Sequence, residues 1–258
     1  MMKRPDSEKT GAIKITIIGW RGAYPGPGEA TSGYLLQSGD LNLLIDCGSG
    51  VLSRLQQYIS LDAIDAVILS HYHADHVADM HCLQYAARVS MDLGTRDAPL
   101  SIYGHAEDPY FDTLNYHNYS RAHAIDTETA LHVGGLTLTF VRNVHLAPCF
   151  SMRIEKDDQI VTYISDTEWT DPLVDAARDA DLLICEASLY NAYQGVVPGH
   201  LTAGEAGEIA RQANVGRLIL SHLPHFGNHE DLLNQAAAVY HGPVELARTG
   251  STWQVMPT

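Results

Sequence analysis

A chain of 258 residues with 45% hydrophobic content can bury a core without disulfide or metal staples, so its 14 histidines need a reason other than folding. Acidic residues outnumber basic ones by 31 to 16, a formal net charge of -15, and the resulting field repels polyanions and argues against a broad nucleic-acid footprint. A local positive centre can still capture a small anion, since two divalent cations would offset about four of those charges. Cys47, Cys82, Cys149 and Cys185 form no CxxC pair, which excludes a zinc ribbon or a dense disulfide framework and reads as buried free thiols in a reducing cytosol. Met1 to Thr10 lacks the apolar stretch of a signal peptide, and no uncharged apolar run is long enough to span a bilayer. The expectation is a soluble, cytoplasmic protein.

Ile13 to Gly19 alternates apolar and polar residues and predicts a strand, followed by the turn-rich stretch Arg21 to Gly28. Tyr34 to Gln37 and Leu41 to Asp46 predict a hairpin around Gly39 and Asp40. Val51 to Ile59 has helical spacing, Ala66 to Leu69 predicts a short buried strand leading to His71, and a helix is expected from about His76 to Met91. Glu107 to Tyr116 is placed as a helix, and the polar stretch to His132 carries no readable pattern. Its Tyr110, Phe111, Tyr116, Tyr119 and Arg121 are assigned to packing under a capping helix rather than to stacking on a base.

From Leu136 the pattern sharpens into strands Leu136 to Val141, Phe150 to Glu155 and Ile160 to Ile164, the last two joined by a turn at Lys156 to Gln159. Strands Leu182 to Cys185, Arg217 to Leu220 and Val244 to Ala247 then alternate with helices Leu173 to Asp179, Thr202 to Gln212 and Glu230 to Tyr240. Each half opens with antiparallel strands and continues with βα units. That order predicts a mixed α/β sandwich with helices outside, not a doubly wound parallel sheet. No linker or short-period repeat interrupts it, so one domain over residues 1–258 is expected, with 1–10 flexible.

The segment Ser70-His71-Tyr72-His73-Ala74-Asp75-His76 carries the most information. In an extended segment alternate side chains share a side, so His71, His73 and Asp75 would project together, joined by His76 where the chain turns into the helix. Imidazoles and carboxylates gathered this way suit zinc. Chance clustering would produce such a pattern on the order of a few times per thousand chains of this composition. A zinc finger is disfavoured because no cysteines stand at finger spacing.

These residues resemble the HxHxDH signature of the metallo-β-lactamase superfamily. The resemblance runs from Gly19 to His222 and implies an α/β fold, the αβ/βα four-layer sandwich, with its site at one edge of two sheets. It also implies three later ligands: His145 after the strand Leu136 to Val141, Asp166 in Tyr163-Ile164-Ser165-Asp166-Thr167, and His222 ending Leu218-Ile219-Leu220-Ser221-His222. Taken singly, His145 reads as a loop histidine and Asp166 as a strand-end turn residue; the ordered set makes both ligands. By the resemblance, His71, His73 and His145 hold one ion, Asp75, His76 and His222 the other, and Asp166 bridges them. The implied cofactors are two Zn2+, with Mn2+ as the alternative metal. Five imidazoles and two carboxylates leave such a core at about +2, which would lower the pKa of a bridging water and supply hydroxide near neutral pH. Asp75 would also orient that nucleophile.

Two further residues resemble the tRNA 3′-processing endonuclease-like branch: Glu186 in Cys185-Glu186-Ala187-Ser188 and His200 in Gly199-His200-Leu201-Thr202. In that branch the histidine contacts the scissile phosphate and the glutamate orients it, chemistry that a protonated imidazole can perform. The bland alternatives are a histidine just before a helix and an exposed strand-end carboxylate. Asp46 in Leu44-Ile45-Asp46-Cys47-Gly48 matches a position that braces the metal-binding loop. Gly19 to Pro27 resembles the family's opening loop, though tight turns explain its glycines equally well. His225 and His229 stay open between lining the pocket and facing solvent.

One departure matters. Members that process tRNA carry a long arm between the third-segment histidine and the bridging aspartate, and here two strands fill that interval from His145 to Asp166. With the acidic field, this points away from folded tRNA and towards a small anionic phosphodiester, such as a cyclic nucleotide or cyclic sugar phosphate, cleaved by metal-activated hydroxide. The alternatives are a lactone or thioester hydrolase on the same centre and a catalytically inactive, metal-bound interaction module. No membrane partner is expected, and a homodimer is a family expectation.

Overall fold

A computed structural model describes residues 11–255; the expectation for residues 1–10 lies outside them. The first half of the chain runs β1 (Ile13–Gly19), β2 (Gly33–Ser38), β3 (Leu41–Ile45), α1 (Val51–Leu55), β4 (Ala66–Ile68), α2 (Ala74–Val77), α3 (Met80–Asp92), β5 (Leu100–Gly104), α4 (Tyr110–Thr113) and β6 (Ser120–Ala124). The second half runs β7 (Leu131–Val133), β8 (Leu136–Arg142), β9 (Phe150–Lys156), β10 (Gln159–Ile164), α5 (Asp171–Ala177), β11 (Leu182–Glu186), α6 (Ala203–Gln212), β12 (Leu218–Ser221), α7 (His229–Ala237) and β13 (Val244–Leu246), before β14 (Thr252–Gln254).

The strands form two seven-stranded sheets, β14-β1-β2-β3-β4-β5-β6 and β13-β12-β11-β10-β9-β8-β7. In the first, β1 to β3 pair antiparallel and β3 to β6 parallel. In the second, β7 to β10 pair antiparallel and β10 to β13 parallel. The antiparallel-then-βα order expected of each half is therefore present in both.

Alternation explains which faces are buried. In β8, Leu136, Leu138 and Phe140 point inward while Thr139 faces solvent, so one face of the strand contributes to the core. These residues meet Ile13, Ile15, Ile17, Leu36, Leu43 and Ile45 of the opposite sheet, each full burial worth roughly 2 kcal/mol. The outer face of the first sheet buries Ile18, Leu35, Leu44 and Val67 against Val51 and Leu55 of α1 and Met80 and Leu83 of α3. On the second sheet Leu183 packs with Ala206, Ile209 and Ala210 of α6. The layers are helix, sheet, sheet, helix, the αβ/βα sandwich. α6 starts with a complete capping box, Thr202 and Glu205 each satisfying the other's backbone N–H.

Several local expectations are corrected. The helix expected from His76 to Met91 is two, α2 and α3, because the chain turns at Ala78 and Asp79 to bring the Leu52 N–H within 3.0 Å of the Asp79 carboxylate. The helix placed at Val51 to Ile59 ends at Leu55, and that at Glu107 to Tyr116 is the single turn α4. β5, β6, β7 and β14 lie in segments whose sequence pattern does not mark a strand. Of the four cysteines, all free, Cys82 is exposed on α3 rather than buried. Among the described residues no helix is long and apolar enough to cross a membrane.

Candidate metal centre

The sequence-identified residues emerge at one end of the two sheets. Asp46 follows β3, the 71–76 segment follows β4, His145 follows β8, Asp166 follows β10, Glu186 ends β11 and His222 follows β12. Strands β3 and β4 run parallel, as do β10, β11 and β12, so their carboxyl ends share one edge, where α/β sheets place ligands. Two turns are tight: Asp46 and His222 adopt positive φ, 55° and 54°, the left-handed region that Asp and His visit more often than most residues.

The route by which the 71–76 segment converges differs from the alternation argument. β4 ends at Ile68, His71 and His73 lie on the following loop, and Asp75 and His76 ride on α2. A turn of helix swings the second pair away from the first. His71 and His73 gather with His145 and Asp166, and Asp75 and His76 gather with His222; within each group the ligand-type atoms lie within 4.8 Å of one another. Asp166, 2% exposed, faces both groups. Its Oδ2 is 3.8 Å from Nε2 of His71 and of His145, and its Oδ1 is 3.5 Å from Nε2 of His76 and of His222.

Which ring nitrogen faces inward follows from what holds the other. His76 Nδ1 lies 2.8 Å from Asp46 Oδ2, His145 Nδ1 donates to Gly199 O at 2.8 Å, His222 Nδ1 is 2.7 Å from Ser188 Oγ and His71 Nδ1 is 3.1 Å from Ser70 Oγ. All four therefore aim Nε2 at the centre. His73 aims Nδ1 instead, 3.1 Å from His71 Nε2 and 3.0 Å from His145 Nε2. Asp46 is the hub behind them, accepting from Ser70 N (2.8 Å), Ser70 Oγ (3.0 Å) and Tyr163 Oη (2.8 Å).

These contacts fit a cation. His73 Nδ1 stands about 3 Å from both His71 Nε2 and His145 Nε2 and can donate to only one of them, and Asp166 Oδ1 is buried without a hydrogen-bond partner, a costly state for a carboxylate. A positive ion between the donors removes both defects, and nitrogen and carboxylate oxygen are zinc's ordinary ligands. Electrostatics agree. Burial lowers the pKa of His71 and His73, helped by neighbouring imidazoles. At His76 and His222 burial also opposes the charge, but it is outweighed by Asp166 together with Asp46 or Asp75, and both rings are raised. Burial likewise opposes ionisation of Asp75 and Asp166, yet the surrounding histidines hold both carboxyls below their usual range.

Glu186 is 1% exposed, not the exposed carboxylate of the bland alternative. It accepts from Thr167 N at 2.7 Å and Ser188 Oγ at 2.5 Å and lies 3.2 Å from His200 Nδ1. Burial pulls His200 down, but the charge and hydrogen bond of Glu186 win and push it up to about 9. His200 Nδ1 is also 4.0 Å from Asp166 Oδ2. His200 and His222 line one cleft of about 290 Å³, where His225 also lies; His229 instead hydrogen-bonds Pro224 O at 2.7 Å.

Several participants carried no signal in the sequence. Ser188 joins Glu186 to His222, and Tyr163 supports Asp46 from the opposite sheet. Ala23 N–H donates to Asp75 Oδ2 at 2.7 Å. Beside it, a Cβ on Gly22 would stand 3.0 Å from the His222 ring. That glycine is needed for close approach, a role turn-forming alone had not required.

Comparison with known proteins gives the same direction. The model of the family described as β-lactamase superfamily domain matches residues 41–223. The chain is 43% identical over 243 residues to the probable metallo-hydrolase YhfI of Bacillus subtilis, covering 94% of this chain and 100% of that protein. The crystal structure of YhfI superposes with a TM-score of 0.92, covering 94% of this chain and 99% of that one. A ribonuclease Z of Myxococcus xanthus is 26% identical over 302 residues, 93% of this chain and 97% of that protein. Human tRNase Z, short form, shares the fold with a TM-score of 0.74 at 21% identity, covering 94% of this chain and 99% of that one.

Proposed function

Because this chain belongs to the β-lactamase superfamily and is a metal-dependent hydrolase, we propose that it hydrolyses a small phosphodiester, such as a cyclic nucleotide or cyclic sugar phosphate. His71, His73 and His145 would hold one zinc ion, Asp75, His76 and His222 a second, and Asp166 both, with manganese as the alternative metal. Ions so bound supply Lewis acidity towards a phosphoryl oxygen and lower the pKa of water.

The chain's own residues do the rest. Asp75 accepts a hydrogen bond from the attacking water and fixes its direction. His200, held cationic by buried Glu186, presents its other N–H to the phosphoryl oxygen or gives that proton to the departing alkoxide. Glu186 acts through His200 and is therefore a positioning residue.

The observation that carries the phosphodiester reading is the Glu186–His200 pair beside Asp166. Similarity to a protein named ribonuclease Z supports the same bond class. Small size is supported by the interval from His145 to Asp166, which β9 and β10 fill, and by the acidic net charge. The described cysteines are free, which suits a reducing cytoplasm.

Assays of a bis-aryl phosphate and of 2′,3′-cyclic nucleotides with zinc or manganese test the proposal. Wild type should turn both over, and His200→Ala should lose about 10²- to 10⁴-fold in kcat. Robust lactone or thioester cleavage with no phosphodiester turnover, barely changed by His200→Ala, would establish the carboxylic-ester alternative instead. Bound zinc without hydrolysis of any ester would leave only the interaction module.

A further inference from the structure

The cleft beside His200 and His222 has a second wall that the proposed reaction does not use. Tyr24 and His225 line it and stack face to face, ring centroids 3.7 Å apart and planes within 1°, and His225 Nε2 donates to the Tyr24 carbonyl at 2.6 Å. The two loops carrying them are laced together. Arg21 is clamped by Glu29 at 2.6 Å, lies over the Trp20 ring and donates to Pro224 O at 3.1 Å, and Gly22 N–H donates to Leu223 O at 3.2 Å. Phe226 completes the wall, its carbonyl held by Tyr190 Oη at 2.9 Å and its ring against Tyr190 and Tyr193.

Tyr24 and Phe226 are 59% and 48% exposed. Single exposed aromatics are ordinary, but these share one cleft next to the candidate centre. At about 290 Å³ the cleft is at the small end of small-molecule sites. Among its described lining residues none is lysine or arginine, and only the end formed by His200 and His222 can meet an anion. The charged part of a substrate must face His200 and the metal ligands, and this wall suits a flat uncharged part.

We propose that Tyr24, His225 and Phe226 form a subsite for a planar aromatic group, a nucleobase attached to the scissile phosphodiester, and so select a nucleotide over a base-free cyclic sugar phosphate. The inference rests on the phosphodiester reading above. Stacking engages the face of a base rather than its edge, so the subsite discriminates weakly among bases while rejecting substrates without one.

Two comparisons on the zinc-loaded protein test this: kcat/KM for 2′,3′-cyclic AMP against glycerol 1,2-cyclic phosphate, and calorimetric binding of AMP against ribose 5-phosphate. Wild type should favour the base-bearing member of each pair by at least about tenfold, and Tyr24→Ala with Phe226→Ala should cut both ratios about fivefold to a hundredfold. Tyr24→Phe should retain them. Equal binding of AMP and ribose 5-phosphate by wild type overturns the subsite without needing any variant, as do unchanged ratios in a folded double variant. Preferential AMP binding without phosphodiester turnover keeps the subsite and sinks the reaction. Turnover of both diesters with equal efficiency does the reverse.

Discussion

Each imidazole of the centre can serve a cation only in one tautomer, so the groups behind the rings matter as much as the rings. Ser188 shows this well. Its hydroxyl donates to Glu186 Oε2 and accepts from His222 Nδ1, so it fixes His222 with Nε2 inward and ties the ring to the carboxylate that holds His200. Replacing Ser188 with Ala should weaken zinc binding about 10- to 100-fold, the usual effect of losing such a support, read by chelator competition, and Ser188→Thr should restore most of it. The HxHxDH run was legible because its members are neighbours in sequence. Ser188 and Tyr163 were not, because each acts across loops or sheets on a residue far away in the chain, and nothing local distinguishes them from ordinary loop or core residues; Gly22 stood out only as one of several turn glycines in the opening loop.

Among the elements, the long, strongly patterned strands β1, β8, β9 and β10 were readable from alternation and turn residues. β6 and β7 were not: each is an edge strand paired on one flank only, so Ser120–Ala124 is largely polar and exposed, and the three residues Leu131–Val133 carry too short a pattern to read. The periodicity of residues 76–91 suggested one helix because both pieces turn the same apolar face to the sheet, Val77, Met80, Leu83 and Ala87. The break between them lies at Asp79, whose backbone departs from helical values and whose carboxylate accepts from Leu52 N–H. The loop after β5 carries another titratable group, His105, 1% exposed and packed against Tyr72 and Phe150. Burial lowers its pKa below the ordinary 6.5. The unfolded chain therefore binds the proton first: stability is fully present above 6.5 and is lost as pH falls below it towards the depressed folded value. In His105→Phe, denaturant melts between pH 7 and 5 should show a shallower loss of stability than wild type. Parallel slopes would remove His105 from this role.

At the scale of the whole molecule the centre joins two halves. His71, His73, Asp75 and His76 come from the first and His145, Asp166 and His222 from the second, so neither half presents a complete set. The halves repeat one plan of antiparallel strands followed by βα units, and that plan was visible in the order of the predicted elements. The return of the chain to the first sheet through β14 was not, since three residues, Thr252–Gln254, pair with β1 and carry too short a pattern to read. Nothing in the net charge or the core calls for a metal; the convergence of ligand-type groups from both halves, able to hold one, is what points to it. Elemental analysis of the purified full-length protein after growth in zinc-replete medium is the most direct test. Two zinc ions per folded chain is the expected result, and a folded chain with no stoichiometric metal would contradict it.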